Sequence, residues 1–77
     1  MNELIKNIKK LHTTKLGVER IKNNLKINDN VVEYCKNIIL NEKCEIIKKG
    51  KNWYCKIDSI IITVNSFSYT IITAHKI

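Results

Sequence analysis

The 77-residue chain holds two histidines, His12 and His75. They are its best-suited groups for moving protons near neutral pH. His75 closes the run Tyr69-Thr70-Ile71-Ile72-Thr73-Ala74-His75, which reads as a strand. Alternation along a strand puts Tyr69, Ile71, Thr73 and His75 on one face, so Thr73 and His75 project together. RNA cleavage without a metal needs a base for the 2′-hydroxyl proton and an acid for the departing 5′-oxygen. It also needs a cation or hydroxyl donor for the charged phosphorane. His12 and His75 suit the proton transfers, Thr73 and Tyr69 suit the positioning of the phosphate, and lysine or arginine suits the charge. A bland reading stands beside this one: a histidine at a helix end is also a cap, and one on a terminal strand is also a solvated edge residue.

The cations are abundant. Fourteen Lys and Arg face seven Asp and Glu, a net charge of +7. Up to Ile27 there are seven basic residues (Lys6, Lys9, Lys10, Lys15, Arg20, Lys22, Lys26) against Glu3 and Glu19, so the helical half carries most of the surplus. Such a surplus concentrates polyanions and speeds encounter with them. Thirteen Lys and ten Asn also fit an AT-rich genome, an alternative source of the same charge. On the sheet side, Lys48, Lys49, Lys51 and Lys56 interleave with Trp53, Tyr54 and Tyr69, an aromatic-plus-basic pattern that stacks bases and holds phosphates. Lys48-Lys49-Gly50-Lys51 is the foremost phosphate-contact candidate there, with Arg20 and Lys76 as further cations. Trp53 has an equally ordinary reading as a core residue.

Other chemistries find little support. Cys35, Cys44 and Cys55 have no zinc spacing, and their odd number argues against a disulfide framework, so they read as small buried hydrophobes. Two histidines, sparse carboxylates and the lack of an HExxH pattern build no obvious metal site, and no cofactor is expected. The only glycines are Gly17 and Gly50, which excludes a phosphate-binding glycine loop. Ser66 and Ser68 lack the Gly-x-Ser-x-Gly elbow of a serine hydrolase.

These residues must be positioned by one domain spanning residues 1–77. Leu4, Ile5, Ile8 and Leu11 predict an amphipathic helix of about three turns. His12-Thr13-Thr14 interrupts it, and Thr13 or Thr14 caps a second helix with Leu16, Val18, Ile21 and Leu25 on one face. Gly17 early in that helix implies close packing. Asn28-Asp29-Asn30 is a turn, and Asn30 followed by Glu33 starts a third helix whose apolar face is Val31, Tyr34, Cys35, Ile38 and Ile39. From Cys44 the period changes to two. Strands are expected at Glu45 to Lys48, Trp53 to Ile57, Ile60 to Asn65 and Ser68 to His75. They are joined at Lys49-Gly50-Lys51-Asn52, Asp58-Ser59 and Ser66-Phe67. The expected fold class is α+β: three N-terminal helices packed on a four-stranded antiparallel β-meander.

Two segments carry a resemblance. His12-Thr13-Thr14-Lys15-Leu16-Gly17-Val18-Glu19-Arg20-Ile21 with Asn24-Leu25 resembles the start of a family of short bacterial proteins catalogued as a domain of unknown function. Gly50-Lys51-Asn52-Trp53-Tyr54, Ile62-Thr63-Val64-Asn65 and Ser68 through Lys76 resemble its end. More loosely, helices followed by a four-stranded antiparallel sheet with this last strand look like the barnase–EndoU–colicin–RelE-like superfamily of small metal-independent RNases, many of them toxins. That resemblance implies roles for His12, Thr73 and His75, and for Lys51 or Arg20. The expected function is therefore RNA binding or metal-independent RNA cleavage. The alternative is a non-enzymatic binding or inhibitor protein, for example phage-borne, that sets its basic face against an acidic protein or nucleic acid. A homodimer paired through an exposed last strand is a third reading. No apolar run reaches the ~20 residues of a membrane helix. The residues from Met1 to Lys6 lack a signal-peptide layout, so a cytoplasmic protein of a bacterium or phage is expected.

Overall fold

Local hydrogen bonding sets the helical half. The computed structural model describes residues 2–77, so Met1, the first residue of the segment read for a leader, lies outside the described residues. Asn2 caps α1 (Glu3–Lys6) by accepting from the Ile5 amide at 2.8 Å. Asn7 then ends it: its side-chain amide turns back to the Glu3 carbonyl at 2.9 Å, a local bond that competes with helix continuation. A 3-10 turn, Ile8–Lys10, follows, and Leu11 is extended. Leu4 and Leu11 are both buried, one from a helical turn and one from extended chain. The predicted three-turn helix is thus replaced by two separate single turns.

Thr14 caps α2 (Lys15–Leu25), its Oγ1 accepting from the Gly17 amide at 3.0 Å. The buried stripe of α2 is Gly17, Ile21 and Leu25, spaced by four. Leu16, expected on that face, is 68% exposed because it stands one residue off the stripe. Asn30 caps α3 (Val31–Leu40) through the Glu33 amide at 3.1 Å, and Val31, Cys35 and Ile39 are buried.

The second half is β1 (Glu45–Lys49), β2 (Asn52–Ile57), β3 (Ile60–Asn65) and β4 (Ile71–Lys76), antiparallel and in sequence order. The Lys49↔Asn52 pair closes the first hairpin over Gly50-Lys51, with Gly50 at φ 61 in the position where glycine suits a two-residue hairpin turn. Cross-strand partners share a face. Trp53↔Val64, Cys55↔Ile62, Ile62↔Ala74 and Val64↔Ile71 are all buried and form the helix-facing core. Ile47↔Tyr54, Tyr54↔Thr63, Thr63↔Thr73 and Ile61↔His75 line the opposite face.

The expected layout of three N-terminal helices packed on a four-stranded antiparallel β-meander is corrected. The chain is α+β, but its helices are short, and the first of them is a single turn. Two further expectations change at the last strand. It begins at Ile71 rather than Ser68, because Ser66 to Thr70 are spent on a turn that Asn65 organises. A register shift opposite Thr63 and Val64 then leaves Ile72 unpaired and breaks the alternation. Ile71 joins Ala74 in the core, Thr73 and His75 lie on the open face, and Tyr69 is off the strand with φ 59.

The free side of β4 is also covered. The backbone of His12 forms a parallel bridge beside Thr70, donating to Tyr69 O at 3.2 Å and accepting from Ile71 N at 2.7 Å. Thr13 Oγ1 donates to Ile71 O at 2.9 Å, and the Asn24 amide of α2 donates to Ala74 O at 3.2 Å. Pairing with a second copy along this edge would displace those bonds.

Candidate functional site

Extension of the chain at His12 fixes the chemistry of its ring. Nδ1 lies 2.8 Å from the Lys10 carbonyl. A carbonyl only accepts, so Nδ1 carries the hydrogen in the neutral ring and Nε2 is left with its lone pair. The Thr70 hydroxyl, 3.1 Å away, donates to Nε2. Thr70 Oγ1 also lies 2.8 Å from Ser68 Oγ, whose one hydroxyl hydrogen has two acceptors in reach, Thr70 Oγ1 and Asn65 Oδ1 at 3.2 Å. The result is an exposed chain of groups from Ser68 through Thr70 and His12 to the Lys10 carbonyl, in the order hydroxyl, hydroxyl, base, orienting acceptor.

The turn that presents Ser68 and Thr70 is built by Asn65. Its Oδ1 accepts from the amides of Phe67 (2.9 Å) and Ser68 (3.0 Å), and its carbonyl accepts from Tyr69 N at 2.9 Å. Tyr69 takes the left-handed conformation there, and its ring packs on Trp53 with centroids 5.4 Å apart. Lys10 Nζ stands 5.5 Å from the Tyr69 ring centre and Lys48 Nζ stands 6.0 Å from that of Trp53. The neighbouring hairpin is tied in by Ser66 N donating to Lys51 O at 2.8 Å. One end of the sheet thus collects an imidazole, two hydroxyls, two aromatic rings tilted 40° to each other and the cations Lys10, Lys48 and Lys51.

Of the residues singled out from sequence, His12, Tyr69, Lys48 and Lys51 come together at this end, and Lys49 stands beside them at the base of the hairpin. His75, Thr73, Lys76 and Arg20 do not join them. His75 is exposed opposite Ile61, five residues along the strand from Thr70, so the two imidazoles stand roughly 15 Å apart. Thr73 is half-buried opposite Thr63, Lys76 is exposed opposite Ile60, and Arg20 is on the solvent side of α2. Thr70 and Lys10 are the site residues that sequence reasoning missed. Their roles depend on His12 pairing with a strand 58 residues away, which no local pattern encodes.

The three thiols converge on the helix-facing layer. Cys44 stands two residues before Ile46, the register partner of Cys55, and therefore on the same face. Burial pushes the Cys35 thiol up to about 12. Burial does the same for Cys55, with smaller contributions from Cys44 and Cys35. Burial, then the neighbouring Glu45, raises Cys44. Protonated thiols are weak nucleophiles, so this layer is a packing element. Among the described residues, no group of three or more His, Cys, Asp or Glu is placed to hold a metal ion, and no helix is long and apolar enough to cross a membrane.

Fold and site together define a small two-layer α+β domain with a hydroxyl–imidazole chain at the basic end of its sheet. Residues 5–75 match the family described as "Protein of unknown function (DUF3781)", and the chain belongs to that family. No curated protein and no solved structure matches it.

Proposed function

We propose that this chain is a small RNA-binding domain with metal-independent RNA-cleaving chemistry centred on His12. The observation that carries the reading is an exposed His12 whose Nδ1 is held by the Lys10 carbonyl and whose Nε2 lone pair accepts from the Thr70 hydroxyl, at the same end of the sheet as Lys10, Lys48 and Lys51. The Thr70 hydroxyl occupies the place a ribose 2′-hydroxyl would take. On substitution of one for the other, the 2′-oxygen attacks phosphorus as its proton passes to Nε2. The P–O5′ bond breaks, and the 5′-oxygen takes its proton from solvent. The products are a 2′,3′-cyclic phosphate and a 5′-hydroxyl. The lysines bind the phosphodiester and offset the charge of the phosphorane. A looser likeness to the barnase–EndoU–colicin–RelE-like RNases points the same way, without His75 in the role of acid.

The separation of the two histidines favours a second reading, non-enzymatic binding, because no other imidazole stands beside His12 to protonate the leaving oxygen. Incubation of the chain with a single-stranded RNA in the presence of EDTA separates the two. Cyclic-phosphate ends that vanish in His12→Ala and persist in His75→Ala support cleavage at His12. RNA bound without turnover leaves the binding domain alone. RNA neither bound nor cut, or cleavage that survives His12→Ala, refutes the proposal.

A further inference from the structure

Helices cover one face of the sheet; the other face is bare. Ile47 is 58% exposed there, Tyr54 37% exposed and Ile61 half-buried. They line a shallow groove of about 580 Å³, with Lys49, Lys56 and Glu45 on its walls. We infer that this groove docks an acidic amphipathic helix of a partner protein, on the open face of the sheet and meeting the His12 end only at the base of the hairpin, Lys49.

Geometry supports a helix. Ile47 faces Tyr54 directly across the strand pair, and Ile61 stands diagonally beyond Tyr54, two residues along β3 from its partner Thr63. With strands about 4.8 Å apart and about 3.3 Å per residue, the diagonal strip is roughly 12 Å long. Apolar side chains at i, i+4 and i+8 of a helix cover roughly the same length. The strip is narrow, aliphatic at both ends and aromatic only at Tyr54, which suits leucine-like side chains better than stacked bases.

Charge selects the sign of the partner. Among the described residues, the only side-chain ion pair within 4.0 Å is Lys36 with Glu33 on α3. Lys49 and Lys56 therefore have no carboxylate within that distance, although Glu45 is the register partner of Lys56. A second copy would set two lysines and one glutamate against the same set, a surplus of like charge on chains that each carry +7. A partner helix flanked by Glu or Asp places carboxylates over both.

The test uses the isotope-labelled chain and a synthetic peptide of about 18 residues, long enough to hold a helix, with leucines on one face and glutamates on its flanks. Its amide shifts are expected to map to Ile47, Tyr54 and Ile61, and to leave His12 and Thr70 unmoved. Lys49→Glu with Lys56→Glu is expected to weaken binding about tenfold, and a lysine-flanked version of the peptide to restore it. Ile47→Glu, an exposed position, is expected to abolish binding with the fold intact. The inference is overturned by no binding up to about 1 mM peptide; by equal affinity for both peptides on the unaltered chain; by shifts confined to α2 and α3; or by self-association through the same residues. Single-stranded RNA that shifts these same amides also overturns it, whereas failure of RNA binding at His12 bears only on the proposed function.

Discussion

Gly17 is held as glycine by Thr13, and that contact is measurable as a coupling energy. A Cβ built on Gly17 runs into Thr13 Oγ1 and comes within 3.2 Å of Thr14 Oγ1. Both hydroxyls are committed: Thr13 donates to Ile71 O at 2.9 Å, and Thr14 caps α2 at Gly17 N. Alanine within a helix is ordinarily better than glycine by roughly 0.5–1 kcal/mol. In Gly17→Ala, however, Thr13 must turn away and release its bond. That loss costs about 1 kcal/mol, or up to about 3 if the Ile71 carbonyl is left without a partner. The net expectation is a destabilisation of about 1–2 kcal/mol. In a Thr13→Ala background the nearest obstruction is gone and only the 3.2 Å approach to Thr14 Oγ1 remains, so the same substitution is expected to range from neutral to stabilising by about 1 kcal/mol. Urea denaturation of the four proteins in the cycle should therefore give a coupling of about 2 kcal/mol between positions 13 and 17. Gly17→Ala with the same effect, of either sign, in both backgrounds would refute the argument.

Two other perturbations follow from the same structure. Cys35 and Cys55 titrate near 9.0 when unfolded and at about 12 in the fold, so the native chain keeps protons that the unfolded chain loses. Stability is unaffected by these thiols below pH 9 and falls as pH rises from 9 toward 12, by about 1.4 kcal/mol per pH unit for each thiol. Urea midpoints across that range should show a shallower slope in Cys35→Ala; an unchanged slope would assign the loss to other groups. Lys26 ends α2 in the left-handed region at φ 55. Lys26→Gly should stabilise the chain by roughly 1 kcal/mol, read as a raised urea midpoint, and a lowered midpoint would mean that the lysine side chain holds a contact worth more than the backbone strain.

What was legible in the sequence was what short-range chemistry decides. The caps at Thr14 and Asn30, the hairpin at Gly50 and the tight connection at Asp58-Ser59 are each set by residues within four positions of one another. Periodicity failed where a polar side chain or a distant strand outweighed it. Leu4, Ile5, Ile8 and Leu11 are spaced for a helix, but Asn7 bonds to the Glu3 carbonyl and the chain beyond Lys10 gains more by pairing with β4. Tyr69 to His75 alternates as a strand should, but Asn65 gathers the first part into a turn and Ile72 bulges out. The thiol layer was hidden for a related reason: positions 35, 44 and 55 meet only after a helix is laid over a hairpin.

Those failures bear on the site itself. Had the first helix continued through Leu11 as its periodicity suggests, His12 would stand at a helix end, where a ring acts as a cap and its tautomer follows the solvent. Because Asn7 stops the helix, Leu11 is extended, and its burial among the core residues anchors the backbone at the next position. The His12 backbone then completes the edge of β4, and the Lys10 carbonyl is left pointing at Nδ1. The same bridge sets Thr70 opposite Nε2. The state of the imidazole is thus a consequence of strand pairing, and the residue that makes it possible is an asparagine five positions upstream, which meets the ring's partner Lys10 only by accepting its backbone N–H at 2.9 Å.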